Sequence, residues 1–402
     1  MSPVMSWLLA AAQALPSAAP DHAPPPAVPP PPPPTLPHSR SPVASLPTPP
    51  TSLAPRSLIS WTPGAVRCAE GAAIARPARR PLGQLLWARI ASLQPVTLPF
   101  AIDAAGRTLG IGHSVPATAW AAGTDLGPAL AATQFAPGAP RTGCTITYTP
   151  SVASFDRAPI ADLMSYSLSP ISGALPADGW ARIQATGSCD AQSRPAALLR
   201  GFPDFGALPH TPGVKDWSMV AFDLDVRGRP RNARVTHGTG NIALDAAASD
   251  AVARSRFTPG ARTGCRYPYW MAPATIAAPP SPDLAGFADP AARCPSPYTY
   301  ATAPRLTYPE NYRRRRIEGW AIVRFDVAPW GEIGNATVLA AEPSEDFGTH
   351  ALQVIRTARF AAAPVGRTGC VEAVRFVIGR NDAPGAAAAA GLAQPISGRP
   401  GA

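Results

Sequence analysis

The sequence predicts an α+β protein of three tandem small modules. Each module is expected to be a three-stranded antiparallel sheet in the order β-β-α-β, with one packed helix and one intradomain disulfide. The first observation is that residues 294–379 contain two alternating apolar runs, a helical pattern and a third alternating run, an order that recurs more loosely twice upstream. The second is the cysteine spacing, since 144 − 68, 265 − 189 and 370 − 294 each equal 76.

The six cysteines lack the short C-x-x-C spacing of a zinc or redox site. Their regular spacing favours pairing within each module over the other arrangements that six cysteines allow. The predicted bonds are Cys68–Cys144, Cys189–Cys265 and Cys294–Cys370. Such bonds persist in oxidising compartments, so the pattern predicts export from the cytoplasm. In the chain-entropy model each bond contributes about 4 kcal/mol, a large share of the stability of a small module.

The third module, residues 289–380, has the clearest pattern. From Gly319 to Val327 alternate side chains are apolar, which predicts a strand with one buried face and one solvated face. Trp320 and Ile322 fall on the predicted solvated face. A turn at Gly331, a strand over residues 333–341, a helix starting near residue 345 and a last strand over residues 371–378 complete the module.

Several short motifs in this module, in this order, resemble the C-terminal domain of the TonB family of energy transducers. They are Tyr308-Pro309, Glu318-Gly319, the Phe-Asp-Val of residues 325–327, Gly331, and Phe360 followed by Pro364. The resemblance implies a periplasmic protein whose last strand captures a short peptide from the plug of an outer-membrane receptor. It also implies an inner-membrane proton-channel complex as a partner if the N-terminus is anchored.

The strand that this resemblance assigns to the partner lies at the C-terminal end of the module. Its residues are Val371, Glu372, Ala373, Val374, Arg375, Phe376 and Val377. An unpaired edge strand offers backbone N–H and C=O groups to an extended peptide. The alternative is that the Cys294–Cys370 bond covers this edge and makes the module purely structural.

The two upstream modules, residues 58–149 and 178–271, repeat the spacing of the third. The distance from a strand phenylalanine to the turn glycine is the same in all three, as 106 − 100, 228 − 222 and 331 − 325 each equal 6. Pro99 lacks a backbone donor, so its strand is expected to pair on one side only. Residues 150–177 and 272–288, rich in Pro, Ser and Ala, are predicted to be linkers.

Three further segments are expected outside the modules. Residues 1–19 are apolar but too short to cross a bilayer as a helix, which predicts a cleaved signal peptide, with a short anchor as the alternative. Residues 20–56 are predicted to form an extended Pro-rich spacer, and residues 381–402 a disordered tail. The chain contains 53 prolines, and the unbroken run at residues 29–34 excludes a helix or a central strand there and favours extended polyproline II.

The sequence does not predict an enzyme, a metal site or a cofactor. It contains no phosphate-binding loop or nucleophile motif, and its six histidines are not at metal-ligand spacing. Asp223 and Asp225 could form a glycosidase-like pair, but a solvated strand face is the simpler interpretation. The net charge of +10 comes from scattered arginines, which argues against a nucleic-acid surface. The one dense run, Arg313 to Arg316, is expected on a solvated helix face. No small-molecule substrate is predicted either.

Two functional hypotheses follow. In the first, the chain is a TonB-family protein of energy-coupled outer-membrane transport that binds receptor peptides by β-strand addition. In the second, it is a soluble periplasmic protein-binding or structural repeat protein without energy transduction. Anchors of the family carry a membrane-buried histidine, and residues 1–19 contain none. Both hypotheses place the protein in the periplasm, and the first allows a tether to the inner membrane.

Overall fold

The protein is an α+β structure of small antiparallel sheets, described here by a computed structural model. The described residues are 57–87, 93–114, 124–184, 187–189, 195–294 and 300–379. They lie in one compact unit, Leu53–Ala402. Within these ranges no helix has the length and apolar character needed to cross a membrane. The predicted signal peptide, spacer and tail lie outside the described residues.

The first module has a seven-stranded sheet, so the expectation of three strands is wrong here. Its elements are β1 Ser57–Pro63, β2 Val66–Cys68, β3 Gly71–Ala73, β4 Gln84–Leu86, β5 Val96–Ile102, β6 Thr108–Leu109, α1 Leu126–Ala131 and β7 Arg141–Ser154. Strand β7 is 14 residues long, and it pairs with β5 along its first half and with β1 along its second. The N-terminal strands therefore extend the predicted β5–β6–α1–β7 core. At Pro99 strand β5 pairs with β7, while β6 joins it only at Ala101 and Ile102.

The segment between the first and second modules is not a linker. It contains helix α2 Ile160–Leu168, and helix α3 Ala177–Gln184 starts at its last residue. Leu163, Met164 and Tyr166 are fully buried in a cluster that also includes Leu58 of the first module and Trp217 of the second. The linker interpretation is wrong because these apolar side chains fill the space between two sheets, a role that composition alone does not reveal.

The second module has the predicted three-stranded sheet. Its elements are β8 Ala197–Leu199, β9 Trp217–Leu224, β10 Pro230–Gly238, α4 Ile242–Arg254, β11 Arg256–Phe257 and β12 Arg262–Trp270, with sheet order β10-β9-β12. Asn241 starts α4, because its side-chain oxygen accepts a hydrogen bond from the Leu244 N–H at 3.1 Å. Leu244, Ala248 and Val252 of α4 then pack on β9.

The third module also has the predicted order. Its elements are β13 Tyr300–Thr302, α5 Glu310–Arg314, β14 Gly319–Val327, β15 Ile333–Glu342, α6 Glu345–Arg356, β16 Arg359–Phe360 and β17 Arg367–Phe376, with sheet order β15-β14-β17. Ser344 caps α6 by accepting a hydrogen bond from the Asp346 N–H at 3.2 Å. Strand β17 starts four residues before and ends two residues before the predicted last strand.

Strand β14 is more buried than the alternating pattern predicts. Trp320 and Ile322, expected on the solvated face, are both buried. The Trp320 indole N–H donates to the Pro279 carbonyl at 2.9 Å, and Ile276 exchanges backbone hydrogen bonds with residues on either side of Ile317. Residues 272–288, the second predicted linker, therefore cover this face of the sheet.

In each module the hairpin turn forms the same backbone contact with a phenylalanine that follows the helix. The turn glycine has a positive φ, and its carbonyl accepts a hydrogen bond from a phenylalanine N–H. The pairs are Gly106 with Phe135, Gly228 with Phe257 and Gly331 with Phe360, at 2.9, 2.9 and 3.0 Å. A Cβ at any of these glycines would lie 2.1 Å from that phenylalanine's carbonyl oxygen, so only glycine fits.

Each module contains the disulfide that the cysteine spacing predicts. The bonds are Cys68–Cys144, Cys189–Cys265 and Cys294–Cys370. In each module the bond ties a segment upstream of the hairpin to the start of the last strand. The last strand of each sheet is thereby fixed by a covalent bond as well as by its pairing.

Arg315 joins the three modules. It was expected on a solvated helix face, but its side chain is 7% exposed and forms an ion pair with Asp125, which is 1% exposed. The Arg315 Nε donates to Asp125 at 2.8 Å. The two terminal nitrogens donate to the carbonyls of Gly213 and Arg80, each at 2.9 Å. One guanidinium therefore contacts the first module, the second module and its own.

We expect Asp125→Ala to destabilise the protein by about 3–5 kcal/mol, because it leaves the Arg315 charge buried without a carboxylate. Urea unfolding would measure this loss. The control is Glu310→Gln, which removes the exposed pairs with Arg313 and Arg314 and should cost less than about 1 kcal/mol. Equal losses in the two variants would contradict this account of the ion pair.

Candidate functional site

Strand β17, which contains six of the seven predicted partner-binding residues, lies at an edge of the third sheet. It pairs with β14 in antiparallel register, with Gly319 opposite Phe376 and Arg324 opposite Val371. Among the described residues, no other strand pairs along the opposite side of β17. In an antiparallel strand alternate residues direct their backbone groups to opposite sides. One side of β17 therefore presents its N–H and C=O groups away from the sheet.

The Cys294–Cys370 disulfide lies at the start of this edge. Arg293 and Thr368 exchange backbone hydrogen bonds of 2.9 and 3.2 Å, which places the segment before Cys294 beside the first residues of β17. Further along, the Tyr300 hydroxyl donates to the Glu372 carboxylate. Residues 373–376 are the part of β17 that lies beyond these two contacts.

Side chains along β17 are divided between the core and the surface. Val374 and Phe376 are buried in the core with Phe347 and Phe325. Arg375 is exposed, and Val377 is an exposed residue just beyond the end of the strand. Packing therefore holds the strand in place, and a partner on this edge would contact backbone groups and few side chains.

The opposite edge of the third sheet is partly occupied by the first module. The Ile111 N–H donates to the Pro343 carbonyl, and the Glu345 N–H donates to the Ile111 carbonyl, each at 3.0 Å. The Gly110 N–H donates to the Glu342 carboxylate at 2.7 Å. Burial raises the pKa of Glu342, and this hydrogen bond partly offsets the effect. The end of β15 is thus covered by the protein itself.

A carboxylate at the far end of β14 fixes the start of β17. Asp326 accepts hydrogen bonds from the Asn335 amide at 2.7 Å and from the Gly369 N–H at 2.8 Å. These two bonds lower the pKa of Asp326. They join the β14–β15 hairpin to the residue preceding Cys370, and so they set the position at which the edge strand starts.

The second module contains the same arrangement. Asp223 accepts hydrogen bonds from Asn232 at 3.0 Å and from the Gly264 N–H at 2.9 Å, and these bonds lower its pKa. Asp225 accepts from the N–H groups of Arg227 and Arg229 in its own turn. Both carboxylates are therefore engaged in holding the hairpin, which is not the arrangement of a glycosidase-like pair.

The strand patterns do not predict this network, although the sequence carries a signal for it. In both modules the asparagine follows the turn glycine by the same interval, since 232 − 228 and 335 − 331 each equal 4. Both asparagines have a positive φ, of 55° and 50°. Asp125, the partner of Arg315, was not predicted either, and the sequence carries no comparable signal for it. Within the described residues, no group of three or more His, Cys, Asp or Glu side chains could hold a metal ion.

We expect Asp326→Asn to lower the melting temperature at pH 7, because it weakens both hydrogen bonds to the carboxylate. The folded-state pKa is below the ordinary 3.8, so this contribution is present above pH 3.8 and is lost as pH falls through the lower folded value. Thermal unfolding between pH 7 and pH 3 should show the gap to wild type narrowing as pH falls. The exposed Asp250→Asn on α4 is the control, and a gap that widens at low pH would overturn this assignment.

Comparison with known proteins agrees with the geometry of the third module. The family model described as Gram-negative bacterial TonB protein C-terminal matches residues 304–378. Protein TonB of Klebsiella pneumoniae is 31% identical over 118 residues, a match that covers 26% of this chain and 48% of that protein. The chain thus spans about half the length of this relative. Residues 304–378 of this chain are a C-terminal domain of the TonB family.

Proposed function

We propose that this chain is a TonB-like periplasmic protein of energy-coupled outer-membrane transport, and that its C-terminal domain binds receptor peptides by β-strand addition. The observation that carries the proposal is the edge position of β17 within a TonB C-terminal domain. The partners would be plug peptides of outer-membrane receptors and, if the N-terminus is anchored, an inner-membrane proton-channel complex.

The binding mode follows from the backbone of β17. An extended peptide would pair with residues 373–376 as a fourth strand, with affinity supplied by main-chain hydrogen bonds. The exposed Arg375 would favour an acidic side chain at the facing position of the peptide. Val374 and Phe376 hold the strand on the core, so the edge needs little reordering before it pairs.

We further propose that the three modules are divergent copies of one fold. The shared glycine–phenylalanine contact and the single disulfide in each module support this interpretation. The extra strands of the first module would then be additions to the common core. The family model matches residues 304–378, which lie in the third module. We therefore assign peptide capture to that module alone.

A second candidate is a periplasmic protein-binding or structural repeat protein without energy transduction. The observation that favours it is the packing of the third module, which Arg315 joins to both neighbours. Membrane fractionation with N-terminal sequencing of the mature protein separates the two candidates. A membrane-associated chain that retains its N-terminal segment supports energy coupling, and a cleaved, freely extractable chain supports the second candidate.

Peptide capture predicts a specific difference between two proline variants. Val374→Pro and Arg375→Pro remove neighbouring backbone donors, and neighbouring donors point to opposite sides of β17. One variant therefore disrupts pairing with β14, and the other removes a donor from the open edge. We expect the variant with the higher melting temperature to be folded and yet to lose retention on immobilised receptor N-terminal peptides.

The matched control for this pulldown is Arg324→Gln, which removes an exposed cation from the neighbouring strand β14 and leaves the edge unchanged. It should retain the peptide like the wild type. Wild-type retention in the better-folded proline variant would show that the peptide does not pair with this edge.

A further inference from the structure

A cavity of about 340 Å³ lies where the three modules meet. Its walls come from residues 78–83 of the first module, helix α2, residues 213–215 and Trp217 of the second module, and the end of helix α5. Arg315, which joins the modules, forms part of the wall. This volume is within the range of pockets that hold small molecules.

The cavity wall is strongly cationic. It contains five cationic side chains and a single carboxylate, that of Asp162. The cations are Arg79, Arg80, Lys215, Arg314 and Arg315. The sequence pattern does not predict this cluster, because its members come from three distant parts of the chain, residues 79–80, 215 and 314–315, which packing between the modules brings together.

Three of these cations have an anionic partner inside the protein. Arg315 pairs with Asp125, and Arg314 pairs with Glu310 at 3.1 Å. Arg80 lies 3.5 Å from Asp162, and 61% of its side chain is exposed. This exposure places Arg80 on the side where the cavity meets solvent.

Arg79 and Lys215 have no such partner among the described residues. The Arg79 Nε is buried and makes no hydrogen bond there. The nearby carboxylate of Asp216 is occupied by bonds from Thr211, Thr239 and Asn241. Arg79 therefore lines the cavity, and its guanidinium has a donor, Nε–H, that makes no hydrogen bond within the described residues.

Lys215 is similarly placed. Its ammonium donates to the Leu168 carbonyl at 2.7 Å and lies 5.3 Å from the centre of the Trp270 ring. Burial lowers the pKa of both Lys215 and Arg79. Repulsion from Arg314 adds to this effect at Lys215, whereas at Arg79 the Asp216 carboxylate partly offsets it and repulsion from Arg315 adds to it. A half-buried cation without an ion-pair partner destabilises a protein, and a bound anion would offset that cost.

We propose that this cavity binds a small oxyanion ligand, a molecule that carries a phosphate or carboxylate group, between Arg79 and Lys215. The planar guanidinium matches such a group with two parallel hydrogen bonds, and the ammonium adds a point charge. The volume exceeds that of a phosphate ion and leaves room for an organic part. Because all three modules contribute to the wall, the ligand would also stabilise their packing.

Isothermal titration calorimetry of the full chain at low ionic strength, with inorganic phosphate and separately with citrate, tests the proposal. We expect saturable binding at one site for at least one of the two, accompanied by a rise in melting temperature. Phosphate binding alone would assign the site to phosphate-bearing ligands, and citrate binding alone to carboxylates. Arg79→Gln and Lys215→Gln should each weaken binding by about tenfold or more.

Both variants remove a cation that burial disfavours, so they should fold, which circular dichroism would check. The matched control is Arg227→Gln, which removes an exposed cation from the β9–β10 turn and should leave affinity unchanged. Absence of saturable binding by either anion would overturn the proposal. Equal weakening by Arg227→Gln would overturn it too, because the anion would then be responding to overall charge.

Discussion

The buried contact between Arg315 and Asp125 is the constraint on which the arrangement of the three modules depends. A guanidinium removed from water is stable only when its donors are used, and here they reach a carboxylate and two carbonyls from two other modules. Two other contacts between modules accompany it: Ile111 pairs with the backbone at the end of β15, and Arg315 forms part of the cationic cavity wall. Any large movement of the TonB C-terminal domain relative to its neighbours would expose this charge.

Within each module a different set of interactions fixes the fold. A disulfide ties the last strand to an upstream segment, and a turn glycine contacts the backbone of the phenylalanine after the helix. In the third module the Asp326 network adds a further restraint at the start of β17. The result is a strand held in place at the edge of its sheet, with no further strand paired along its outer side in the described residues. The proposed strand addition requires such an edge.

Local residue patterns predicted the strands and the disulfides. They did not predict the burial that arises from packing between modules. Alternation identified β9, β14 and β15 closely, and equal cysteine intervals identified the disulfides. Arg315 was predicted on a solvated face and is buried. Hydrophobic periodicity shows which residues share a face of one element, but it does not show which neighbouring element covers that face. The same reason explains helix α2 and residues 272–288, whose composition is typical of linkers although they cover apolar faces. The additional strands β1 to β4 were missed because most of them are only three residues long.

The proposed function requires that the backbone of β17 pairs with the partner peptide. Residue-resolved hydrogen exchange, recorded with and without a receptor N-terminal peptide, measures this pairing. We expect alternate amides among residues 373–376 to exchange quickly in the free protein and slowly with peptide, while the amides of β12 do not change. Protection that appears elsewhere, or unchanged exchange along β17 at saturating peptide, would contradict it.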